Sequence, residues 1–159
     1  MIPDKFERIG KFRFVEAWRF PKDVKIFIQD LMKSLNITDA ELLHLCSGKS
    51  KIGKIRIDID KRLVQPTHHG DIIKLSRIKK WKKKGKNTLA DFPWQISYPD
   101  RRAFGYAIRD MTKIGGYVIV NAPWNPWVTG LEFQRVYKVY QSYNSYRDLV
   151  DIWIFKRVK

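Results

Sequence analysis

A single cysteine, Cys46, is the whole thiol inventory of this chain. One thiol cannot close an internal disulfide. Such cysteine usage fits a reducing compartment, and the expected location is cytoplasmic. Long apolar runs are also missing. The longest, at 42–46, 117–120 and 152–155, are strand-length and too short to cross a bilayer, so no membrane partner is expected. Met1 opens no apolar stretch of signal-peptide type. No internal repeat is visible. Acidic residues are scarce, with 16 Asp+Glu against 32 Lys+Arg and a net charge of +16.

That imbalance is itself informative. A chain so basic attracts polyanions, because each phosphate it neutralises releases condensed counterions. Eight basic residues and no acidic one lie between Asp71 and Asp91, yet removing them still leaves half the excess. The expected partner is nucleic acid; a merely solvated lysine-rich surface is the alternative. A hydrophobic content of 44% in 159 residues is enough for one folded domain over 1–159.

Residues 6–20 form an aromatic lead-in carrying Phe6, Phe12, Phe14, Trp18 and Phe20. A helix is predicted from Pro21 to about Leu35, with Val24, Phe27, Ile28, Leu31 and Leu35 on one face and Asn36 as its stop. Short strands follow at 42–46 and 54–60. The second alternates strictly, isoleucines on one face and Arg56, Asp58 and Asp60 on the other. An extended piece at 65–71 precedes a basic helix at 72–84 and a strand at 87–91. A helix over 101–113, a strand at 117–121 and a hairpin of 133–143 with 149–158, turning at Asn144-Ser145, complete the pattern. The predicted class is α/β. In such sheets ligands gather at the carboxyl ends of the strands.

Those ends carry the unusual residues. Ser47-Gly48 and then Gly53 follow the first core strand, where a backbone without side chains can lie against a ligand. Asp58 sits near the end of the second, and Gly70-Asp71 after the third. Each alone is more often a turn or a helix cap. In this order they resemble the class I S-adenosylmethionine-dependent methyltransferases, over roughly residue 41 to the end. The resemblance implies a Rossmann-like, mostly parallel sheet with a C-terminal antiparallel hairpin and reduced helices. It implies S-adenosylmethionine as cofactor, with Leu45, Cys46, Ser47 and Gly48 lining its methionine part. Asp58 would meet its ribose and Asp71 its adenine. On this reading residues 1–40 are an N-terminal segment and helix, and 41–159 the cofactor-binding and catalytic core.

The run Leu89-Ala90-Asp91-Phe92-Pro93-Trp94 resembles the Asp-Pro-Pro-Trp/Tyr motif of methyltransferases acting on exocyclic amines of adenine or cytosine. An aromatic amine is a poor nucleophile, because its lone pair is delocalised into the ring. A carboxylate and a following backbone carbonyl can accept its hydrogens and orient that lone pair. The resemblance implies Asp91, Phe92, Pro93 and Trp94 as the catalytic run, with Trp94 stacking on a base taken out of its helix. Asn121 and Trp124 either help form the base pocket or fill the core from a proline-broken loop. Tyr98, Arg101 and Arg102 meet phosphate or base, or belong to a solvated loop. Lys82 and Lys83, in the run around Trp81, either contact nucleic acid or belong to an exposed basic segment. His68-His69 point to opposite faces of a strand, so no metal site is expected there.

The chain departs from the family pattern at three points. His44 stands where the family carries an acidic residue, Phe92 replaces the first proline, and the helix between the first two strands is missing. A missing helix leaves apolar sheet surface to cover, by the aromatic N-terminal segment or by a second copy, so a homodimer is expected. The leading expectation is a DNA adenine amino-methyltransferase. The alternatives are a non-catalytic nucleic-acid-binding module on the same fold, and a methyltransferase for RNA or another substrate.

Overall fold

The computed structural model describes residues 7–12, 22–92, 98–143 and 146–159. In chain order the elements are β1 (Glu7–Phe12), α1 (Lys22–Ser34), β2 (Leu42–Leu45), β3 (Ile55–Asp58), β4 (His68–His69) and α2 (Ile72–Ser76). They continue with β5 (Asn87–Asp91), α3 (Tyr98–Met111), β6 (Tyr117–Ala122), β7 (Leu131–Tyr143) and β8 (Tyr146–Arg157). One eight-stranded sheet holds them in the order β1-β7-β8-β6-β5-β2-β3-β4. Strands β4, β3, β2, β5 and β6 run parallel, whereas β8 is antiparallel to both β6 and β7. This is the Rossmann-like methyltransferase sheet with its terminal hairpin. Among the described residues no helix is long and apolar enough to cross a membrane.

Alternation along the strands divides the core in two. Leu43, Leu45, Ile57, Ala90, Val118, Val120 and Phe155 pack with α2 and α3, through Ile72, Ile108 and Met111. Leu42, Leu89, Ile119, Ile152 and Ile154 pack with α1, through Val24, Ile28, Leu31 and Met32. The helix forms because those four recur at one face, and it ends at Asn36, which takes a left-handed conformation (φ 55°). Ile37 then closes back on Met32 through a 2.8 Å backbone bond. Burying each large aliphatic side chain contributes about 1.5–3 kcal/mol.

Between β2 and β3 the crossover helix is replaced by a tight loop, 46–54, although parallel neighbours commonly need about a dozen residues to cross over. Hydrogen bonds to distant groups hold it. The Ser47 amide donates to Ile57 O (3.0 Å), the Gly53 amide to Asp39 Oδ1 (2.9 Å) and the Lys54 amide to Asp39 O (2.8 Å). Ile52 is buried on the α1 side. The apolar face that a missing helix would bare is thus covered by α1 and Ile52 within one chain. It supplies no ground for a second copy.

Two sequence expectations are corrected, and the aromatic lead-in gains a structure. The second core strand stops at Asp58, where the chain turns back to be capped, and Ile59 is 69% exposed instead of sharing the face of Ile55 and Ile57. The basic helix predicted over 72–84 is the short α2 followed by one 3-10 turn, Lys79–Trp81, because Trp81 turns inward to the core. Within the aromatic lead-in, Glu7–Phe12 forms an edge strand parallel to β7. The turn at Asn144-Ser145 lies outside the described residues.

Candidate active site

Register brings the acidic strand ends together. Leu45 pairs with Ile57 on one side and Ala90 on the other, and Ala90 pairs with Val120. The next residue on each strand therefore falls in one row across the carboxyl ends: Asp58, Cys46, Asp91, Asn121. Asp58 is aligned with His69, so Asp71 lies just past the same end. Three carboxylates thus meet in a chain that has few.

Each is held differently. Asp58 is 8% exposed, and its Oδ2 accepts from the Gly48 amide (2.8 Å) while Oδ1 accepts from the Asp60 amide (2.9 Å). Gly48 takes a left-handed conformation (φ 53°), as does Cys46 (φ 53°), so the loop turns sharply over the end of β2. Asp71 caps α2, accepting from the Ile73 amide (2.9 Å). Leu45 is fully buried beneath the row. Ser47 is buried, and its Oγ finds no hydrogen-bond partner among the described residues.

Asp91 receives a hydrogen bond from Asn121 Nδ2 (3.0 Å), an amide that is itself fully buried. Burial pushes the Asp91 carboxyl up to about 7 against the opposing Asn121 bond, and the nearby Asp58 charge adds to the rise. Burial likewise raises the Cys46 thiol, with the charges of Asp58, Asp91 and Asp71 acting in the same direction. Cys46 is therefore a neutral thiol and no nucleophile. His44, one turn of the pleat below, is fully buried and bonded to Ile52 O (3.0 Å); desolvation lowers it to about 4.

These shifts make an expected result for stability. Asp91 is raised in the fold, so its contribution is complete below the unfolded value and is lost as pH climbs through about 7. His44 is lowered, so its contribution is complete above its unfolded value near 6.5 and is lost as pH falls towards about 4. The two slopes oppose each other between those limits. Asp91→Asn removes one of them. The variant should be more stable than the parent at pH about 8, by up to a few kcal/mol, and should lose stability on acidification more steeply. Urea melts across pH check this; identical pH profiles for the two proteins would contradict it.

Other residues singled out in the sequence are placed elsewhere or inward. Phe92 is 1% exposed and Trp124 9% exposed, and their rings stack nearly parallel with centroids 5.7 Å apart. Phe104 packs on Phe92, and the Arg101 guanidinium lies 5.5 Å from the Trp124 ring centre. Trp124 is a core aromatic, not an open platform for a base. Lys82 and Lys83 precede β5, and about 13 Å of strand separates its ends, so they lie at the amino ends of the strands, opposite Asp91. Trp81 is 5% exposed and packs edge-on against His68, which removes it as a stacking residue. His68 bonds Thr67 Oγ1 and His69 bonds Leu63 O. Among the described residues no cluster of three histidine, cysteine or acidic side chains is arranged to hold a metal. Pro93 and Trp94 lie outside the described residues.

Sequence reasoning missed two organising residues. Arg56 donates from its guanidinium to Gly53 O (2.6 Å) and Gln65 O (3.0 Å), tying together the loops that follow β2 and β3. Asp39 anchors the far end of the first loop through Gly53 and Lys54. Arg56 was visible only as a polar position in an alternating strand, and Asp39 carried no signal.

No family model matches this chain, and no curated relative does. Solved structures do. The putative methyltransferase yhhF from Escherichia coli is 11% identical with a TM-score of 0.61, the match covering 96% of this chain and 98% of that one. A TehB-like SAM-dependent methyltransferase from Corynebacterium glutamicum is 13% identical with a TM-score of 0.57, over 80% of this chain and 85% of that one. A SAM-dependent O-methyltransferase from Thermotoga maritima is 11% identical with a TM-score of 0.51, over 91% and 68%. At such identities the likeness shows the fold: that of the SAM-dependent methyltransferases.

Proposed function

We propose that this chain is a methyltransferase that takes S-adenosylmethionine as methyl donor and an exocyclic amine of a nucleic-acid base, adenine in DNA, as acceptor. The observation that carries the reading is the row of Asp58, Cys46, Asp91 and Asn121 across neighbouring carboxyl ends. The donor fits the groups present there. Both oxygens of Asp58 are used on backbone amides, but each keeps a second lone pair for a ribose hydroxyl. Ser47 Oγ is a buried hydroxyl with capacity to spare, and Gly48 lets backbone approach closely. Leu45, Cys46, Ser47 and Gly48 would flank the methionine part, and Asp71 the adenine. When bound, the donor supplies an electrophilic methyl on a sulfonium.

The chain's own contribution is positioning and proton handling. Ionised Asp91, oriented by Asn121, accepts a hydrogen from the amine and turns its lone pair towards the methyl. The nitrogen gains a bond to carbon as the carbon–sulfur bond breaks, and the surplus proton passes from nitrogen to Asp91 and then to water. A carboxyl near 7 is suited to that exchange at neutral pH. Trp94 is assigned the stacking role on the flipped base. The basic charge of the chain supports a polyanionic substrate.

Calorimetry with S-adenosylmethionine, and label transfer to single-stranded DNA, duplex DNA and RNA, test the proposal. Micromolar binding is expected, weakened at least about tenfold (~1.4 kcal/mol) by Asp58→Ala, with label on DNA. Absence of donor binding by the parent overturns the enzyme reading. Donor binding with label on RNA alone overturns the choice of DNA, and binding with no label on either overturns the nucleic-acid acceptor.

A further inference from the structure

The lysine run does not behave as a loose, solvated tail. Trp81 plugs it into the core, and its indole has Lys80 Nζ and Lys84 Nζ at 6.0 and 5.9 Å from the ring centre. Lys83 takes a left-handed conformation (φ 54°), its amide donating to Asp110 O (2.7 Å) at the end of α3. Gly85 closes the turn twice, donating to Met111 O (3.0 Å) and accepting from the Lys113 amide (2.8 Å). An added Cβ on Gly85 would stand 2.6 Å from Leu43 Cβ, so the turn is packed against the sheet. The backbone is spent on internal bonds, while Lys79, Lys80, Lys82, Lys83, Lys84, Lys86 and Lys113 are all exposed.

This turn borders a cleft of about 240 Å³ at the amino ends of β2, β3 and β5, lined among others by Glu41, Lys84, Gly85, Lys86 and Lys113. Its one carboxylate is already matched, Glu41 pairing with Lys86 at 2.5 Å. Asp58, Asp71 and Asp91 lie at the carboxyl ends of the strands, and the exposed lysines of the turn lie at the amino ends, where Glu41 and Asp110 also stand.

We infer that the lysine turn and its cleft form a nucleic-acid docking face, distinct from the methyl-transfer crevice, that grips the phosphate backbone. A hydrogen-bonded turn fixes the backbone that carries these lysines, so binding incurs less main-chain ordering cost than a flexible run would. Each phosphate contact releases counterions, so the face contributes salt-sensitive affinity without reading sequence. Because it lies at the amino ends of the strands, it holds a part of the polyanion remote from the base being modified. The inference needs no methyl donor, so it stands or falls separately from the proposed reaction.

Fluorescence anisotropy of labelled single-stranded and duplex DNA, titrated at several salt concentrations without donor, tests it. The variant K80Q/K82Q/K83Q/K84Q is compared with K25Q/K33Q/K51Q/K61Q, which loses the same charge from exposed sites elsewhere. Thermal melts confirm folding, and K82Q/K83Q/K113Q spares the two lysines beside Trp81. The docking-face variants should weaken binding at least about tenfold near physiological salt and flatten the log–log salt slope by about two to three, whereas the control should change it less. Equal losses in the two sets would reduce the effect to net charge and overturn the docking face. So would wild-type DNA binding by the turn variants, or binding to anionic lipid vesicles but not to DNA.

Discussion

Replacing Asp91 by alanine should lower methyl transfer by about a thousandfold or more while leaving donor affinity within about threefold. The expectation follows from position. Asp91 ends β5 beside Asn121 and carries the carboxyl poised near neutrality, whereas the donor-side groups Ser47, Gly48 and Asp58 belong to other strands and loops. Deleting the side chain removes the acceptor for the amine hydrogen and the hydrogen bond from Asn121 Nδ2. Only the transition state should feel that loss, so kcat falls while donor binding persists. In the parent, the rate should rise with pH through about 7 as Asp91 ionises. Asp91→Asn keeps the shape and a carbonyl acceptor but cannot take a proton. It should remain slow and should lose the rise. A rate independent of pH across that window, or an Asp91→Ala enzyme with near-normal kcat, would remove Asp91 from the chemistry.

The largest effect on stability is expected far from the site, at Gly116. An alanine Cβ there would sit on the carbonyl oxygen of Lys86, well inside contact distance, with Lys113 O and Thr112 Cγ2 each at 3.0 Å. These are backbone and packed groups, not flexible tips. At this point β5, β6 and β8 converge: the Gly116 carbonyl accepts from the Arg157 amide (2.9 Å), and the next amide, of Tyr117, donates to Asn87 Oδ1 (2.9 Å). Accommodating one methyl means parting two parallel strands at their start. Gly116→Ala should cost more than about 3 kcal/mol and lower Tm by about 10 °C. Its neighbour supplies the contrast. Gly115 has positive φ (84°) but open space around an added Cβ, so Gly115→Ala should cost only about 1 kcal/mol of backbone strain. Thermal melts that rank the two equally would contradict the packing argument.

The candidate site was legible in its parts. Alternation and turn residues placed Asp58, Asp71 and Asp91 after short strands, and the tryptophan-bearing loops after them. What local pattern could not show was direction. Trp124 reads the same in sequence whether it lines a base pocket or fills the core, and in the fold it stacks on Phe92. Lys82 and Lys83 stand only eight residues or so before Asp91, yet a strand leads away from them, so nearness in sequence became distance in space. The loop 46–54 was illegible for a related reason. Its shape depends on Asp39, Arg56 and Asp58, partners outside its own span.

The amino-acid sequence alone determined which segments extend or coil, because period, caps and breakers act within a few residues of each other. It also determined the basic balance and the order in which acidic groups follow the strands. The tertiary structure alone decided that β2 lies between β3 and β5, and hence that Asp58, Cys46, Asp91 and Asn121 share a row. It also decided that α1 covers the bared face and that the lysines occupy the amino ends of the strands. The reason is that strand pairing joins residues tens of positions apart, through backbone hydrogen bonds whose partners no local pattern names.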